Sequence, residues 1–301
     1  MTDQTIENQN AEDLCSNVGI AVEPLTEWIG ADVDGADLSK PLTNKEFEAI
    51  HGAWLQHQVL RFRNQDLSDA DLVRFGGLFG ELDSYTHPNP LEEDPYPEIF
   101  IVSNITENGQ PIGQLGNYAV KWHTDMSYIE IPPKMSTIYA IEAPSEGGET
   151  GFLNMYHAYE SLDEELRRKV DGAHLNQDDG YAADGLLRPG LDPELYADVT
   201  TAPGPIHPIV RTHPETQRKC LYLGKRQRAY IKDFDLDESN AVLDALWSHA
   251  IREEFAWFNI WQPGDFLMWD NRCTMHMRRE FDDSSRRILH RTQVKDTQPP
   301  S

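Results

Sequence analysis

From Tyr96 onward, short apolar runs alternate with clusters of Gly, Pro and Asp, and this pattern most limits how the chain can fold. The runs predict β-strands at 98–102, 135–140, 151–154, 208–212, 219–223, 256–261, 265–269 and 287–294. Between these strands, helices are predicted at about 156–170 and 238–252. Many short strands with such breaks indicate a mainly β protein, a β-sandwich or jelly roll with flanking helices.

The region before Tyr96 is mixed, with strands predicted at 19–22 and 59–62 and helices at 44–57 and 68–79. Ser68 is the expected N-cap of the second helix. Residues 1–17 are polar and acidic and predict a disordered tail. We therefore expect a single domain at 18–297, with a lid-like insertion at about 176–208, where Asp, Gly and Pro are frequent.

Charge and hydropathy exclude several classes of protein. The 301 residues carry a formal net charge of −25, which repels nucleic acid, so we expect no DNA or RNA partner. No apolar stretch approaches 18 residues, and no basic region precedes an apolar one at the N-terminus. We expect no membrane association and a cytoplasmic location.

Three scattered cysteines argue against a disulfide framework and a thiolate zinc site.

A candidate metal site begins with His123 and Asp125, which are two residues apart and share one face of an extended segment. His276, after a predicted strand and tight turn, is the best candidate for a third ligand. Two histidines and one carboxylate on one side of a metal leave the other side open, which suits non-haem Fe(II). The His-X-Asp pair alone also fits a histidine that merely lies near an acid.

Two arginines strengthen the metal prediction. Arg287 and Arg291 are four residues apart in a strand-like run and should share a face, whereas Arg286 and His290 should share the other. An inward arginine is costly to bury unless it meets an anion. The planar guanidinium holds a carboxylate through two hydrogen bonds, as the distal end of 2-oxoglutarate requires.

Six short motifs follow one another along the chain: Val59-Leu60-Arg61-Phe62-Arg63, Phe79-Gly80-Glu81-Leu82, Trp122-His123-Thr124-Asp125, Gly147-Gly148-Glu149-Thr150, Trp269-Asp270-Asn271-Arg272 before His276, and Arg287 to Arg291. In this order they resemble the taurine dioxygenase / 2,4-dichlorophenoxyacetate dioxygenase family of Fe(II)/2-oxoglutarate-dependent oxygenases. The resemblance extends from about Val22 to Lys295. It implies a double-stranded β-helix, a cupin-like jelly roll with the metal in its mouth.

The resemblance also implies roles for individual residues. His123, Asp125 and His276 match the iron ligands, and Thr150 and Arg287 match the residues that bind the distal carboxylate of 2-oxoglutarate. Arg291 matches an arginine that binds an anionic group and is expected to hold the co-substrate or the substrate. The cofactors implied are Fe(II), 2-oxoglutarate and O2, and relatives of this kind are commonly homo-oligomers, dimers or tetramers.

The substrate pocket departs from the family pattern. The family's substrate-binding histidine after Phe-Gly-Glu-Leu is out of register, so Tyr85 or His87 is expected to replace it. An asparagine expected shortly before His123 is also displaced, which leaves Asn117 and Tyr118 as candidates. These departures argue against taurine and favour another small acid as the substrate. Asn271 and Trp122 are expected to orient the metal ligands.

Three functions remain open at this stage. The leading prediction is hydroxylation of a small anionic molecule, with possible cleavage of a carbon–heteroatom bond and release of succinate and CO2. A zinc-dependent hydrolase could use the same His-Asp-His set to activate water. A non-catalytic jelly-roll protein that binds 2-oxoglutarate is the third.

Overall fold

The computed structural model describes residues 11–85, 95–181 and 186–301, and two β-sheets form its centre. In spatial order, the larger sheet contains β1 (Ala21–Pro24), β2 (Ala31–Asp34), β3 (Val59–Phe62), β17 (Phe266–Asp270), β9 (Met135–Glu142), β19 (Ile288–Val294), β4 (Phe100–Ser103) and β7 (Gln114–Leu115). Most neighbours pair antiparallel; β2 with β3 and β4 with β7 are parallel.

The smaller sheet is antiparallel and contains, in spatial order, β16 (Ala256–Asn259), β10 (Thr150–Asn154), β18 (Thr274–Arg278) and β8 (Val120–His123). One apolar cluster joins the two sheets: Phe152 and Trp257 from the smaller sheet pack with Ile138, Leu267 and Leu289 from the larger. Two sheets that share a core in this way form a sandwich. The predicted jelly roll is therefore confirmed.

The other strands are short and lie outside the sandwich. They are β5 (Thr106–Glu107), β6 (Gln110–Pro111), β11 (His174–Gln177), β12 (Ile206–Pro208), β13 (Val210–Thr212), β14 (Lys219–Leu221) and β15 (Ala229–Ile231). The α-helices are α1 (Ala11–Asn17), α2 (Asn44–His57), α3 (Asp69–Gly77), α4 (Met155–Glu160), α5 (Glu164–Val170) and α6 (Leu236–Ala250). Short 3₁₀ turns lie at Pro193–Tyr196 and Glu253–Phe255.

Helices cover the outer faces of both sheets. Trp54 of α2 and Phe75 of α3 pack in one cluster with Phe62 and Phe266 of the larger sheet. A second cluster, which includes Leu246 of α6, covers the outer face of the smaller sheet. The flanking helices thus bury the faces that the inter-sheet core leaves open.

Local sequence signals predict most of the helix boundaries. Helix α2 has the predicted bounds, and the Thr43 side chain caps it in a capping box. Ser68 caps α3 as predicted. The helix predicted at 156–170 is two helices, because α4 ends at Glu160 and Asp163 caps a new helix, α5.

The prediction of a disordered tail is wrong for residues 11–17, which form α1. The Cys15 side chain is fully buried in the cluster beneath the larger sheet, and its thiol donates to the carbonyl of Ala49. The sequence did not indicate this contact because residues 1–17 contain few apolar residues. Leu14 and Cys15 are the residues by which α1 packs into the cluster. Residues 1–10 lie outside the described residues.

The described part of the chain contains no helix long and apolar enough to span a bilayer. The insertion predicted at 176–208 starts in β11 and ends in β12, and these two strands pair with each other. Gln177 at its start is fully buried, and its amide donates to the carbonyl of Leu223. Residues 182–185 lie outside the described residues, so the insertion's role as a lid stays a prediction.

Candidate active site

The three side chains predicted to bind metal converge between β8 and β18. His123 ends β8 and lies opposite His276 of β18, with ring centroids 4.2 Å apart. Each imidazole Nε2 is 3.7 Å from Asp125 Oδ1, and the three possible ligand atoms lie within 4.8 Å of one another. Metal–ligand bonds of about 2.0–2.2 Å place ligand atoms about 3–4 Å apart, so a small shift allows all three to bind one ion.

The hydrogen bond of His123 and the burial of His276 suit metal binding. His123 Nδ1 lies 2.8 Å from the carbonyl oxygen of Lys121, and a carbonyl only accepts, so Nδ1 carries the proton. Nε2 of His123 is then the ring nitrogen that faces Asp125 and could bind a metal. Burial lowers the pKa of His276 to about 3, which keeps its imidazole neutral, as metal ligation requires.

Asp125 is held through its backbone and its carboxylate. Its N–H donates to Asn271 Oδ1 at 2.9 Å, and Asn271 Nδ2 donates back to the Asp125 carbonyl at 3.0 Å. Ser136 Oγ donates to Asp125 Oδ2 at 3.0 Å, which leaves Oδ1 facing the histidines. Burial alone would raise the pKa of Asp125, but Arg291 and the two histidines hold this pKa well below its ordinary value. The Asp125 carboxylate is therefore ionised and could bind a metal ion.

A chain of hydrogen bonds extends from the carboxylate to Tyr85. The Tyr85 hydroxyl donates to Gln293 Oε1 at 2.6 Å, and Gln293 Nε2 donates to Ser136 Oγ at 3.0 Å. Burial raises the pKa of Tyr85, so it remains a neutral donor. Sequence reasoning missed Ser136 and Gln293. Strand alternation could have found Gln293, which is two residues beyond Arg291 on the same face of β19.

Replacing Ser136 with Ala should lower metal affinity by about 10- to 100-fold, because Asp125 Oδ2 loses its hydroxyl donor. The measurement is Mn(II) binding by isothermal titration calorimetry at constant pH. Thr137→Val is the matched control, because Thr137 bonds Thr292 on the opposite face of β9. Equal Mn(II) affinity in the Ser136 variant and the wild type would show that the hydroxyl does not position the carboxylate.

Two buried guanidiniums lie in the region next to the triad. Arg287 is 2% exposed and Arg278 is 6% exposed, and for each side chain Nε and Nη1 have no hydrogen-bond acceptor within the described structure. Burial lowers the pKa of Arg287 well below its ordinary value, and the charge of Arg278 lowers it further. Burial lowers the pKa of Arg278 to about 10, so it is still a cation at neutral pH.

Thr150 lies with these arginines, because it pairs directly with Arg278 across β10 and β18. Its hydroxyl accepts a 3.0 Å hydrogen bond from Trp261 Nε1, so its own proton is free to donate. Thr150 and Arg287 are the residues predicted for the distal carboxylate of 2-oxoglutarate, and both have donors without an acceptor in the described structure. Arg278 was not predicted, although it is two residues beyond His276 on the same strand.

Arg291 lies on the metal side of the site. Its Nη2 is 3.3 Å from Asp125 Oδ1, its guanidinium packs over the Phe100 ring, and its Nε is buried with no acceptor among the described atoms. Arg286 and His290 lie on the opposite side, as predicted, where they pair with Glu142 and Asp69. A substrate anion held by Arg291 would lie beside the metal ligands.

The remaining predicted pocket residues are less closely associated with the triad. Asn117 donates to the carbonyl of Phe281, and Tyr118 is 46% exposed, so no described contact joins either side chain to the metal ligands. Trp122 packs in the outer core and against Phe258, away from the ligands. His87 lies outside the described residues.

A second cluster, His213, Asp270 and Cys273, has ligand-type atoms equally close together. It does not suit a metal, because Arg272 and His213 already bind both carboxylate oxygens of Asp270. His213 Nδ1 accepts two backbone N–H groups, which leaves its Nε2 proton to donate to Asp270. This cluster braces the turn that carries Asn271.

Comparison with known proteins agrees with this geometry. The family model "Taurine catabolism dioxygenase TauD, TfdA family" matches residues 21–293. Pentalenolactone F synthase of Streptomyces avermitilis is 33% identical over 283 residues, covering 87% of this chain and 90% of the relative. The alpha-ketoglutarate-dependent 2,4-dichlorophenoxyacetate dioxygenase of Cupriavidus pinatubonensis is 30% identical over 290 residues, covering 93% and 99%.

The solved structure of AAD-2 in complex with Mn(II) and N-oxalylglycine superimposes with a TM-score of 0.78 at 31% identity, covering 94% of this chain and 98% of that one. The fold and the site together define a dioxygenase dependent on Fe(II), O2 and 2-oxoglutarate, also called alpha-ketoglutarate. More particularly, the chain belongs to the TauD/TfdA family. The predicted family, fold class, enzyme class and cofactors are confirmed.

Proposed function

We propose that this enzyme hydroxylates a small organic acid, with iron held by His123, Asp125 and His276 and the distal carboxylate of 2-oxoglutarate held by Arg287 and Thr150. The observation that carries the proposal is the combination of a His-Asp-His triad, with an ionised Asp125, and buried guanidinium nitrogens that have no acceptor in the described structure. A hydrolytic zinc site needs the first feature and has no use for the second.

The donor set fits Fe(II), since two imidazoles and one carboxylate on one side of the ion leave further positions open. When bound, the iron supplies the redox chemistry that couples decarboxylation of 2-oxoglutarate to substrate oxidation. The chain's residues do the rest. Lys121 fixes the tautomer of His123, Ser136 fixes the orientation of Asp125, and Asn271 fixes its backbone.

The arginines determine how the co-substrate is oriented. Arg287 neutralises one carboxylate at a buried position, and Thr150 donates to the same carboxylate. The opposite, keto-acid end of the molecule can then reach the metal ligands. A dicarboxylate is thus required by charge, because a monocarboxylic 2-oxo acid would leave the buried cation without a partner.

Arg291 supports an anionic substrate. The two named relatives act on different molecules by name, so relatedness alone does not determine the substrate class. In this chain, a cation with an unpaired Nε lies beside the metal ligands, with Tyr85 near it. We propose that a carboxylate or sulfonate of the substrate binds there, and that hydroxylation next to a heteroatom leads to cleavage of the C–O, C–N or C–S bond.

The test is a succinate-release screen with Fe(II), O2 and 2-oxoglutarate across phenoxy acids, sulfonates and amino-acid derivatives, each paired with an uncharged methyl ester or amide. We expect turnover of at least one acid and loss of turnover with its uncharged partner. Arg291→Gln should raise KM for that acid by about 10- to 100-fold with little change in affinity for 2-oxoglutarate. Equal turnover of acid and ester would contradict the role of Arg291.

Two further parts of the proposal rest on sequence alone. The family resemblance implies a homo-oligomer, dimer or tetramer, and the sequence implies a cytoplasmic location. Analytical ultracentrifugation of the purified chain tests the first, and subcellular fractionation tests the second.

A further inference from the structure

Arg278 is a buried cation that the proposed function leaves unused. It ends β18, two residues beyond His276, and its Cα partner across the sheet is Thr150. Side chains directly opposite each other on paired strands lie on the same face. Arg278 therefore shares a face with Thr150, the hydroxyl proposed to bind the distal carboxylate of 2-oxoglutarate.

One nitrogen of the Arg278 guanidinium is hydrogen-bonded, and the other two have no acceptor in the described structure. Its Nη2 donates to the carbonyl oxygens of Leu115 and Tyr118, which pins the guanidinium. Its Nε and Nη1 are buried and have no acceptor within the described structure. Nε and Nη1 do not share an edge of the planar guanidinium, because Cδ lies between them, so each offers a separate donor to an anion.

Arg287 lies against the same aromatic ring. The guanidinium carbon of Arg278 is 5.7 Å from the centroid of Phe281, and that of Arg287 is 5.8 Å from it. Neither guanidinium forms a described ion pair with a carboxylate of this chain. Two buried like charges beside one ring repel each other, and a shared anion relieves both the repulsion and the unmet hydrogen bonds.

We propose that Arg278 and Arg287 form a paired-guanidinium site that binds the distal carboxylate of 2-oxoglutarate from two sides. Arg278 is then a specificity residue that selects a dicarboxylic 2-oxo acid over a monocarboxylic one. The inference rests on the proposed function only in placing that carboxylate at Arg287. A purely structural role, pinning the 115–118 segment, needs Nη2 alone and does not explain two further buried nitrogens without acceptors.

The experiment measures ligand binding to the Mn(II)-loaded protein by isothermal titration calorimetry, so it does not depend on turnover. The ligands are 2-oxoglutarate and 2-oxopentanoate, which has a methyl group in place of the distal carboxylate. We expect Arg278→Met to weaken 2-oxoglutarate binding by about 10- to 100-fold and to leave 2-oxopentanoate binding within about threefold. Arg279→Met is the matched control, because Arg279 is exposed and stacks on Phe258.

Each outcome has a distinct meaning. An Arg278→Met protein that binds both ligands equally more weakly, or 2-oxoglutarate as tightly as wild type, overturns the paired site. If Arg287→Met leaves 2-oxoglutarate binding unchanged, the carboxylate lies elsewhere and the proposed function itself fails. Should Arg278→Met not fold, Arg278→Lys keeps the charge without the fixed planar donors. We expect Arg278→Lys to weaken 2-oxoglutarate binding about threefold to tenfold, and unchanged affinity contradicts the inference.

Discussion

Replacing His276 with Ala is expected to abolish succinate formation that depends on 2-oxoglutarate. His276 is one of three protein groups proposed to hold the iron, and its neutral imidazole faces Asp125 across 3.7 Å. Loss of a direct ligand should exceed the roughly 10- to 100-fold effect typical of groups that only support a ligand. The measurement is succinate release with excess Fe(II), together with Mn(II) binding by calorimetry.

His174→Ala is the control for this variant, because His174 is exposed on β11 and far along the chain from the triad residues. It should retain wild-type succinate release and Mn(II) affinity. Circular dichroism should show that both variants are folded. Retained activity in folded His276→Ala would refute the ligand assignment.

Replacing Arg287 with Met is expected to raise the Kd for 2-oxoglutarate by a factor of about 30 to several thousand. This range corresponds to about 2–5 kcal/mol for removing one partner of a buried charge pair. Arg287 is 2% exposed, and no described acceptor satisfies its Nε or Nη1 without a ligand. The ligand-free Arg287→Met variant should therefore unfold at the same Tm as wild type or a higher one, because an unpaired buried cation is removed.

The neighbouring arginine provides the control for Arg287. Arg286 is exposed and forms an ion pair with Glu142, so Arg286→Met should leave both 2-oxoglutarate affinity and Tm nearly unchanged. A large drop in the ligand-free Tm of Arg287→Met would instead indicate a structural role for this guanidinium, and unchanged 2-oxoglutarate affinity would remove it from the site.

The sequence predicts those site residues whose shared face follows from the alternation of side chains along a single strand. His123 and Asp125 share a face because they are two residues apart in an extended segment. Arg287 is buried and Arg291 is partly buried, as expected of inward-facing side chains. The strand pattern also predicts the sandwich, since each apolar run forms or overlaps a strand. These features depend on a few neighbouring residues, which is why a single sequence reveals them.

The parts that were missed depend on pairing between distant strands. Ser136 meets Gln293 because β9 pairs with β19, and its hydroxyl reaches Asp125, which follows β8 of the other sheet. The residues near Ser136 in the sequence do not indicate that β9 pairs with β19, or in which register. Arg278 could have been found by side-chain alternation, because it is two residues beyond His276 on β18. Helix α1 was missed because a short apolar anchor carries little periodic signal.

The most direct test of the central claim is an anaerobic titration of the protein with Fe(II) and then 2-oxoglutarate, followed by visible absorption. Chelation of iron by the keto-acid end should give a weak metal-to-ligand charge-transfer band that saturates at one equivalent of each. The band should be absent from His276→Ala. A wild-type protein that binds both components without such a band would contradict an iron site shared by His123, Asp125, His276 and the co-substrate.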